Sequence, residues 1–219
     1  MNNFITRLLT SFILIPVILF IIYTGGYVYL ALIITAAVIM GFEWQDIISK
    51  KEHSTKVWYI LGIAYVTLPC LSLIWLREQN RGLFYIIWLF TVVWATDIGA
   101  YLCGKIIGGW KLAPKISPNK TWSGLIGGII CASLVGFAVA NYKYTSLNYN
   151  SAIMISAMLA IYAQIGDLIE SAIKRYFDVK DSGKIIPGHG GLLDRVDSLI
   201  LAAPKFALFI IIFQGNVTW

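Results

Sequence analysis

Apolar residues gather in seven long runs, at about 8–24, 27–44, 58–76, 83–103, 122–141, 151–173 and 191–213, with short polar stretches between them. Each run approaches the ~20 residues that a helix rising ~1.5 Å per residue needs to cross a ~30 Å hydrocarbon layer. The pattern predicts an all-α, polytopic helical membrane protein with about seven transmembrane helices. The first run follows Arg7, ends in Tyr23-Thr24-Gly25-Gly26 with no small-x-small cleavage pattern, and leads into further spans. It is read as an uncleaved first helix and not as a signal peptide.

Composition agrees with the pattern: of 219 residues 58% are hydrophobic and 13% charged, with a mean hydropathy of +0.76. A soluble domain uses roughly 45–50% apolar residues. Aromatic residues such as Trp58, Tyr59 and Trp88 are expected at the membrane interfaces or against lipid. Cys70, Cys103 and Cys131 fall in or at the ends of spans without metal-ligand spacing, and are read as small apolar side chains.

Charge orients the chain. With the N-terminus inside, the inner loops carry twelve Lys and Arg residues and the outer loops only Arg77, Arg81 and Lys143. Positive loops stay cytoplasmic, so the net charge of +6 marks a basic cytoplasmic face and not a nucleic-acid surface. The expected location is a bacterial inner membrane.

The two halves differ in polarity. Residues 1–96 hold three spans and part of a fourth, read as packing, lipid access and dimer contacts; residues 97–219 are read as the catalytic region. Seven of the eleven acids lie from Asp97 onward, and Asp97, Asp167, Glu170, Asp194 and Asp197 fall in or at the inner ends of spans. Acids at membrane depth need a partner, a metal or a water-filled cavity, which makes them functional candidates. Glu43, in the second span, has no neighbouring partner and is read as salt-bridged or snorkelling, not as a site residue.

Asp167, Glu170, Ser171 and Lys174 are spaced i, i+3, i+4 and i+7 along one helix stripe, and Asp194, Asp197 and Ser198 repeat the theme in the last span. Two stripes of oxygen donors suit a hard divalent cation. Magnesium fits better than zinc, because His189 is the one nearby imidazole. The alternative is that Lys174, Arg175 and Arg195 neutralise the acids. Between the stripes lies a loop with Gly183, Gly188, Gly190 and Gly191, whose amides and following helix N-terminus suit phosphate. A second basic segment, from Gly108 to Trp122, carries Ser117, Asn119, Lys120 and Thr121. It is read either as a set of donors to phosphate or as plain inner-face charge.

The stretch Ser171 to Ser198 resembles the C-terminal signature of the phosphatidate cytidylyltransferase family: Ser171, Lys174-Arg175, Lys180-Asp181, Pro187-Gly188-His189-Gly190-Gly191, then Asp194-Arg195-Val196-Asp197. Asp97-Ile98-Gly99-Ala100-Tyr101, Gly104, Gly108 and Ser117 to Trp122 are similar to a second block of that family, and Gly166 to Ser171 to the block before the signature. The similarity covers about residues 97–204. This chain departs at Ser123, where the family commonly has Glu, and at Lys205, where it is usually apolar.

The resemblance implies transfer of a cytidylyl group from CTP to phosphatidate, giving CDP-diacylglycerol and pyrophosphate. Magnesium on Asp167, Asp194 and Asp197 is the implied cofactor, with room for a second cation. Lys174, Arg175, Lys180 and Arg195 would meet phosphates, with Ser171, His189, Gly190 and Gly191 shaping the pocket. Asp194, Asp197, Lys174 and Arg195 are the expected catalytic group. His189 either donates to pyrophosphate or braces its loop, and Asp97 either joins the metal or binds a lysine. A homodimer is the accompanying expectation. The rival readings are a CTP-dependent lipid kinase and a secondary transporter, while the paired-Asp pattern of CDP-alcohol phosphotransferases is absent.

Overall fold

The computed structural model describes residues 3–51, 56–141, 148–183, 185 and 190–213. Its elements are α1 (Asn3–Thr24), α2 (Gly26–Ile48), α3 (Lys56–Glu78), α4 (Gly82–Ile106), β1 (Lys111–Ala113), β2 (Ser117–Thr121), α5 (Trp122–Ala140), α6 (Tyr149–Tyr176) and α7 (Leu193–Phe213). Each of the seven apolar runs falls on one helix. Five of these, α2 to α6, are long and apolar enough to cross a membrane, and a shorter apolar stretch, Phe12–Thr24, lies within α1. The chain is therefore an integral, predominantly helical membrane protein. A feature beyond the helical expectation is an antiparallel hairpin, β1 with β2, that pairs Lys111 with Thr121 and Ala113 with Ser117.

Packing divides the chain into two compact units. One comprises Met1–Ile86 with Ile173–Asp197, and the other Ile87–Ala172 with Ser198–Trp219. The segment that carries most of the family-like signature thus packs with the first helices.

In the first unit, α2 and α3 approach closely because Gly62 faces the Trp44 indole; a β-carbon there would lie 2.1 Å from Nε1. Trp44 donates from Nε1 to the Trp58 carbonyl at 3.1 Å and packs on Tyr65. Tyr29 donates from its hydroxyl to the Leu73 carbonyl at 3.2 Å. Arg77 donates to the carbonyls of Ile22 and Tyr23, so a cation closes the C-terminal end of α1, where its dipole is negative. Trp58 stacks on Phe177 and Tyr176, fixing the chain just after α6.

In the second unit, small residues bring α4 and α5 together. A β-carbon at Gly99 would fall 2.6 Å from Cys131 Sγ, and one at Gly127 would fall 2.3 Å from Cys103 Sγ. The cysteines act as compact packing groups, in keeping with the sequence expectation, and helices in lipid associate through such small-residue contacts. Trp88 corrects the interfacial reading: it is 1% exposed, donates from Nε1 to Ser156 Oγ at 3.0 Å and meets Phe206 edge-on. A buried indole N–H needs such an acceptor, and a neighbouring helix provides it. Lys205 resolves its apparent misplacement by resting over the Tyr162 ring, 5.1 Å from the centroid.

Gly62→Leu is expected to destabilise the protein by about 1–3 kcal/mol through overpacking against Trp44. Gly41→Leu, at a position where an added β-carbon meets nothing within 4 Å, should leave the thermal midpoint in detergent unchanged.

Candidate active site

The first polar centre lies in the unit built from Met1–Ile86 and Ile173–Asp197 and is organised by two carboxylates. Glu43 on α2 is 2% exposed. Its oxygens accept the backbone N–H groups of Leu192 and Leu193, each at 2.8 Å, and the Ser182 hydroxyl at 3.2 Å. Leu193 opens α7, so the carboxylate satisfies orphan N–H groups at the positive end of a helix dipole. The salt-bridged or snorkelling reading of Glu43 is corrected here: the side chain is buried and held by neutral donors. Its partners lie some 140 positions along the chain, beyond any helical spacing that sequence inspection would test.

Asp194 forms the other half of the centre. Lys174 Nζ donates to Oδ1 at 2.6 Å, the Ser182 amide is shared between both oxygens at 3.2 and 2.9 Å, and the Gly191 amide donates to Oδ2 at 3.0 Å. The Lys174 and Asp194 side chains are only 11% and 9% exposed, a setting in which a charged pair is held by its hydrogen bonds and not by solvent. Lys174, placed seven residues after Asp167 by the helical stripe, thus pairs with the acid that opens the next helix.

Glycine is required where this loop closes. A β-carbon on Gly191 would lie 2.0 Å from Ser182 Oγ and 2.8 Å from both Glu43 oxygens, and one on Gly183 would lie 2.9 Å from Glu43 Oε1. Gly190 adopts φ +87°, in the left-handed region. The amides of Ser182, Gly191, Leu192 and Leu193 are therefore spent on the protein's own carboxylates. Arg175 and Lys180 are exposed beside this centre, and Arg175 donates to the Val179 carbonyl at 3.1 Å. Arg195 is exposed on the first turn of α7, and Asp197 is half-buried one turn on. His189 lies outside the described residues, as do Lys184, Pro187 and Gly188.

The second polar centre lies in the other unit. Lys120 on β2 meets Asp167 Oδ2 on α6 at 2.6 Å, and Ser171, one turn along α6, donates to Asp167 Oδ1 at 3.3 Å. Asp97 on α4 accepts from Ser198 at 3.4 Å and lies within electrostatic reach of Asp167 and Lys120. The hairpin places Lys120 by tying its own ends: Trp122 donates its amide to the Trp110 carbonyl at 3.0 Å, and Ser123 donates to the Gly108 carbonyl. Ser123, the residue at the departure from the family pattern, is thereby a brace of the hairpin. Thr121 is 3% exposed and caps α5 by accepting the Gly124 amide at 3.1 Å, so its hydroxyl is committed to structure. Ser117 is half-buried and Asn119 exposed on the same strand.

Among the described residues no three His, Cys, Asp or Glu side chains gather as a metal cluster. An ionised carboxylate offers about four lone-pair positions. Among the described residues Asp194 receives four donor contacts, whereas Asp167 receives one ammonium and one hydroxyl and Asp97 one hydroxyl. The Asp97 and Asp167 pair thus keeps hard oxygen donors with capacity to spare. That fits magnesium, which takes one or two carboxylates and fills its shell with phosphate oxygens and water.

Comparison with known proteins places these centres in context. The sequence model of the cytidylyltransferase family matches residues 5–70 and 49–213. A phosphatidate cytidylyltransferase of Rickettsia bellii is 41% identical over 211 residues, covering 93% of this chain and 89% of the relative. One from Brucella suis is 34% identical over 258 residues, covering 97% and 95%. One from Staphylococcus aureus is 40% identical over 167 residues, covering 75% and 64%.

Gly191→Ala is expected to destabilise the protein by about 1–3 kcal/mol, because the new methyl collides with Ser182 and Glu43. Adding Ser182→Ala to that variant removes the nearer obstacle and should restore part of the loss, a coupling readable in a double-mutant cycle of thermal midpoints.

Proposed function

The chain belongs to the cytidylyltransferase family, and from that membership we propose that it is a phosphatidate cytidylyltransferase. The reaction joins CTP to phosphatidate and yields CDP-diacylglycerol and pyrophosphate. The observation that carries this reading is the paired Lys174–Asp194 centre, a charged and hydrogen-bonded assembly formed by the signature segment in an otherwise apolar membrane protein.

A phosphate oxygen of phosphatidate attacks the α-phosphorus of CTP as the bond from that phosphorus to the bridging β-oxygen breaks. The nucleophile is already an anion at neutral pH, so no strong general base is needed. Catalysis then rests on positioning and on neutralising charge. Lys120, Lys174, Arg175, Lys180 and Arg195 are assigned to substrate phosphates, and Ser117, Asn119 and Ser171 to hydrogen bonds around them. Asp194 holds Lys174 and the loop amides in place. His189, Gly190 and Gly191 retain the pocket-shaping role that the family resemblance implies.

Magnesium is proposed on the oxygens of Asp97 and Asp167, where it would offset triphosphate charge. Asp194, expected from the sequence to share the ion, is assigned to organising the start of α7; Asp197 retains the metal-ligand role that the family resemblance implies. The excess of Lys and Arg in the inner loops supports a cytoplasmic site in a bacterial inner membrane.

Purified protein supplied with phosphatidate and CTP labelled at the α-phosphorus should form labelled CDP-diacylglycerol with magnesium and none with chelator. Asp194→Asn should lower turnover on the order of a hundredfold, the scale seen when one preorganised charge-stabilising contact is lost. Transfer of label from the γ-phosphorus to a lipid alcohol would point instead to a lipid kinase. Folded protein without turnover would point to a transporter.

A further inference from the structure

The α4–β1 corner and its hairpin carry two different chemistries. Lys120 points into the unit and pairs with Asp167, while Lys105, Lys111 and Lys115 are exposed. Among the described residues the Lys111 and Lys115 ammonium groups have no hydrogen-bond or ion-pair partner, and Lys105 meets only the Tyr101 hydroxyl and ring. Beside these lysines Trp110 is 87% exposed, Ile106 79% and Ile107 70%.

That exposure is not the looseness of a frayed loop. The Trp110 carbonyl accepts the Trp122 amide, the Gly108 carbonyl accepts the Ser123 hydroxyl, and Lys111 is in register with Thr121. Gly108 and Gly109, at φ +65° and +99°, turn the chain sharply out of α4 and direct Trp110 outward. A backbone fixed in this way, displaying one indole and two isoleucines, holds an apolar patch that water would disfavour.

The patch begins where α4, a helix long enough to span the bilayer, ends at Ile106. Tryptophan is enriched at headgroup depth, and basic residues immediately outside a span attract anionic lipid. We propose that the outer face of this hairpin is an interfacial docking surface for anionic phospholipids of the host bilayer, separate from the Lys120–Asp167 centre on its inner face. Trp110, Ile106 and Ile107 sit at the acyl boundary, and Lys105, Lys111 and Lys115 hold the headgroup phosphates. Seating the hairpin in the headgroup layer keeps Lys120 at a fixed depth, whatever substrate that lysine serves.

The test uses the full chain in nanodiscs of phosphatidylcholine doped with phosphatidylglycerol, a lipid outside the proposed reaction. Lipid retained through mild delipidation is counted by native mass spectrometry. Replacing Lys105, Lys111 and Lys115 together by Gln should reduce retained phosphatidylglycerol at low salt by roughly fivefold per lysine, while the triple Arg variant keeps it. Tryptophan emission quenched by lipids brominated near the glycerol should fall in Trp110→Tyr. Unchanged phosphatidylglycerol retention in the Gln variant would overturn the proposal, as would an equal loss of phosphatidylcholine. Retention of phosphatidate but not phosphatidylglycerol by wild type would overturn the assigned source and make this face a substrate site. Unchanged lipid quenching in Trp110→Tyr would overturn the placement of Trp110. Because no readout depends on turnover, failure here is distinguishable from failure of the proposed reaction.

Discussion

A carboxylate taken out of water must find donors or lose its charge, and Glu43 meets that constraint with the N-terminus of another helix. Its two oxygens hold the amides of Leu192 and Leu193 at the start of α7 and the hydroxyl of Ser182, so one buried acid on α2 ties the entry to α7 to Ser182. The helix dipole favours an anion at this point, which offsets the desolvation that burial imposes. The arrangement requires bare backbone opposite the carboxylate, and Gly183 and Gly191 supply it.

Once Glu43 has taken those amides, Asp194 is left to collect the remaining ones and to neutralise Lys174. Both described ends of the loop, at Ser182 and at Gly191 to Leu193, are thus held by carboxylates of the protein itself. The second unit solves the same problem with a lysine from a hairpin and an acid from α6. In each case a part-buried charge pair with a neighbouring hydroxyl or amide sets the geometry before any substrate arrives, which is what charge stabilisation in a low-dielectric setting requires.

Hydropathy made the helices legible, because each apolar run is long and the period of burial in lipid is nearly irrelevant to detecting it. The acidic stripes were legible for a related reason: Asp167, Ser171 and Asp194 are costly at membrane depth and stand out against Leu and Ile. Glu43 stood out equally, yet its role was hidden, since its partners are backbone amides and a serine far along the chain. Trp88 misled because an indole in an apolar run reads the same whether it faces lipid or a serine on another helix. The hairpin was obscured by Pro114 and Pro118, which suggest a stiff loop. Its existence depends on the pairing of Lys111 with Thr121, a contact between residues that hydropathy treats as unrelated. Thr121 looked like a phosphate donor because a hydroxyl beside lysine suits either role, and only the start of α5 reveals it as a cap.

The claim that Glu43 organises the site is tested most directly by amide hydrogen exchange and CDP-diacylglycerol formation in Glu43→Gln, measured on the same preparation. The substitution keeps size but replaces one acceptor oxygen with a donor facing the α7 amides. The account predicts fast exchange at Leu192 and Leu193, whose amides Glu43 accepts, together with a loss of turnover, while protection within α4 and α5 is preserved. Wild-type protection of those two amides with undiminished turnover would contradict it.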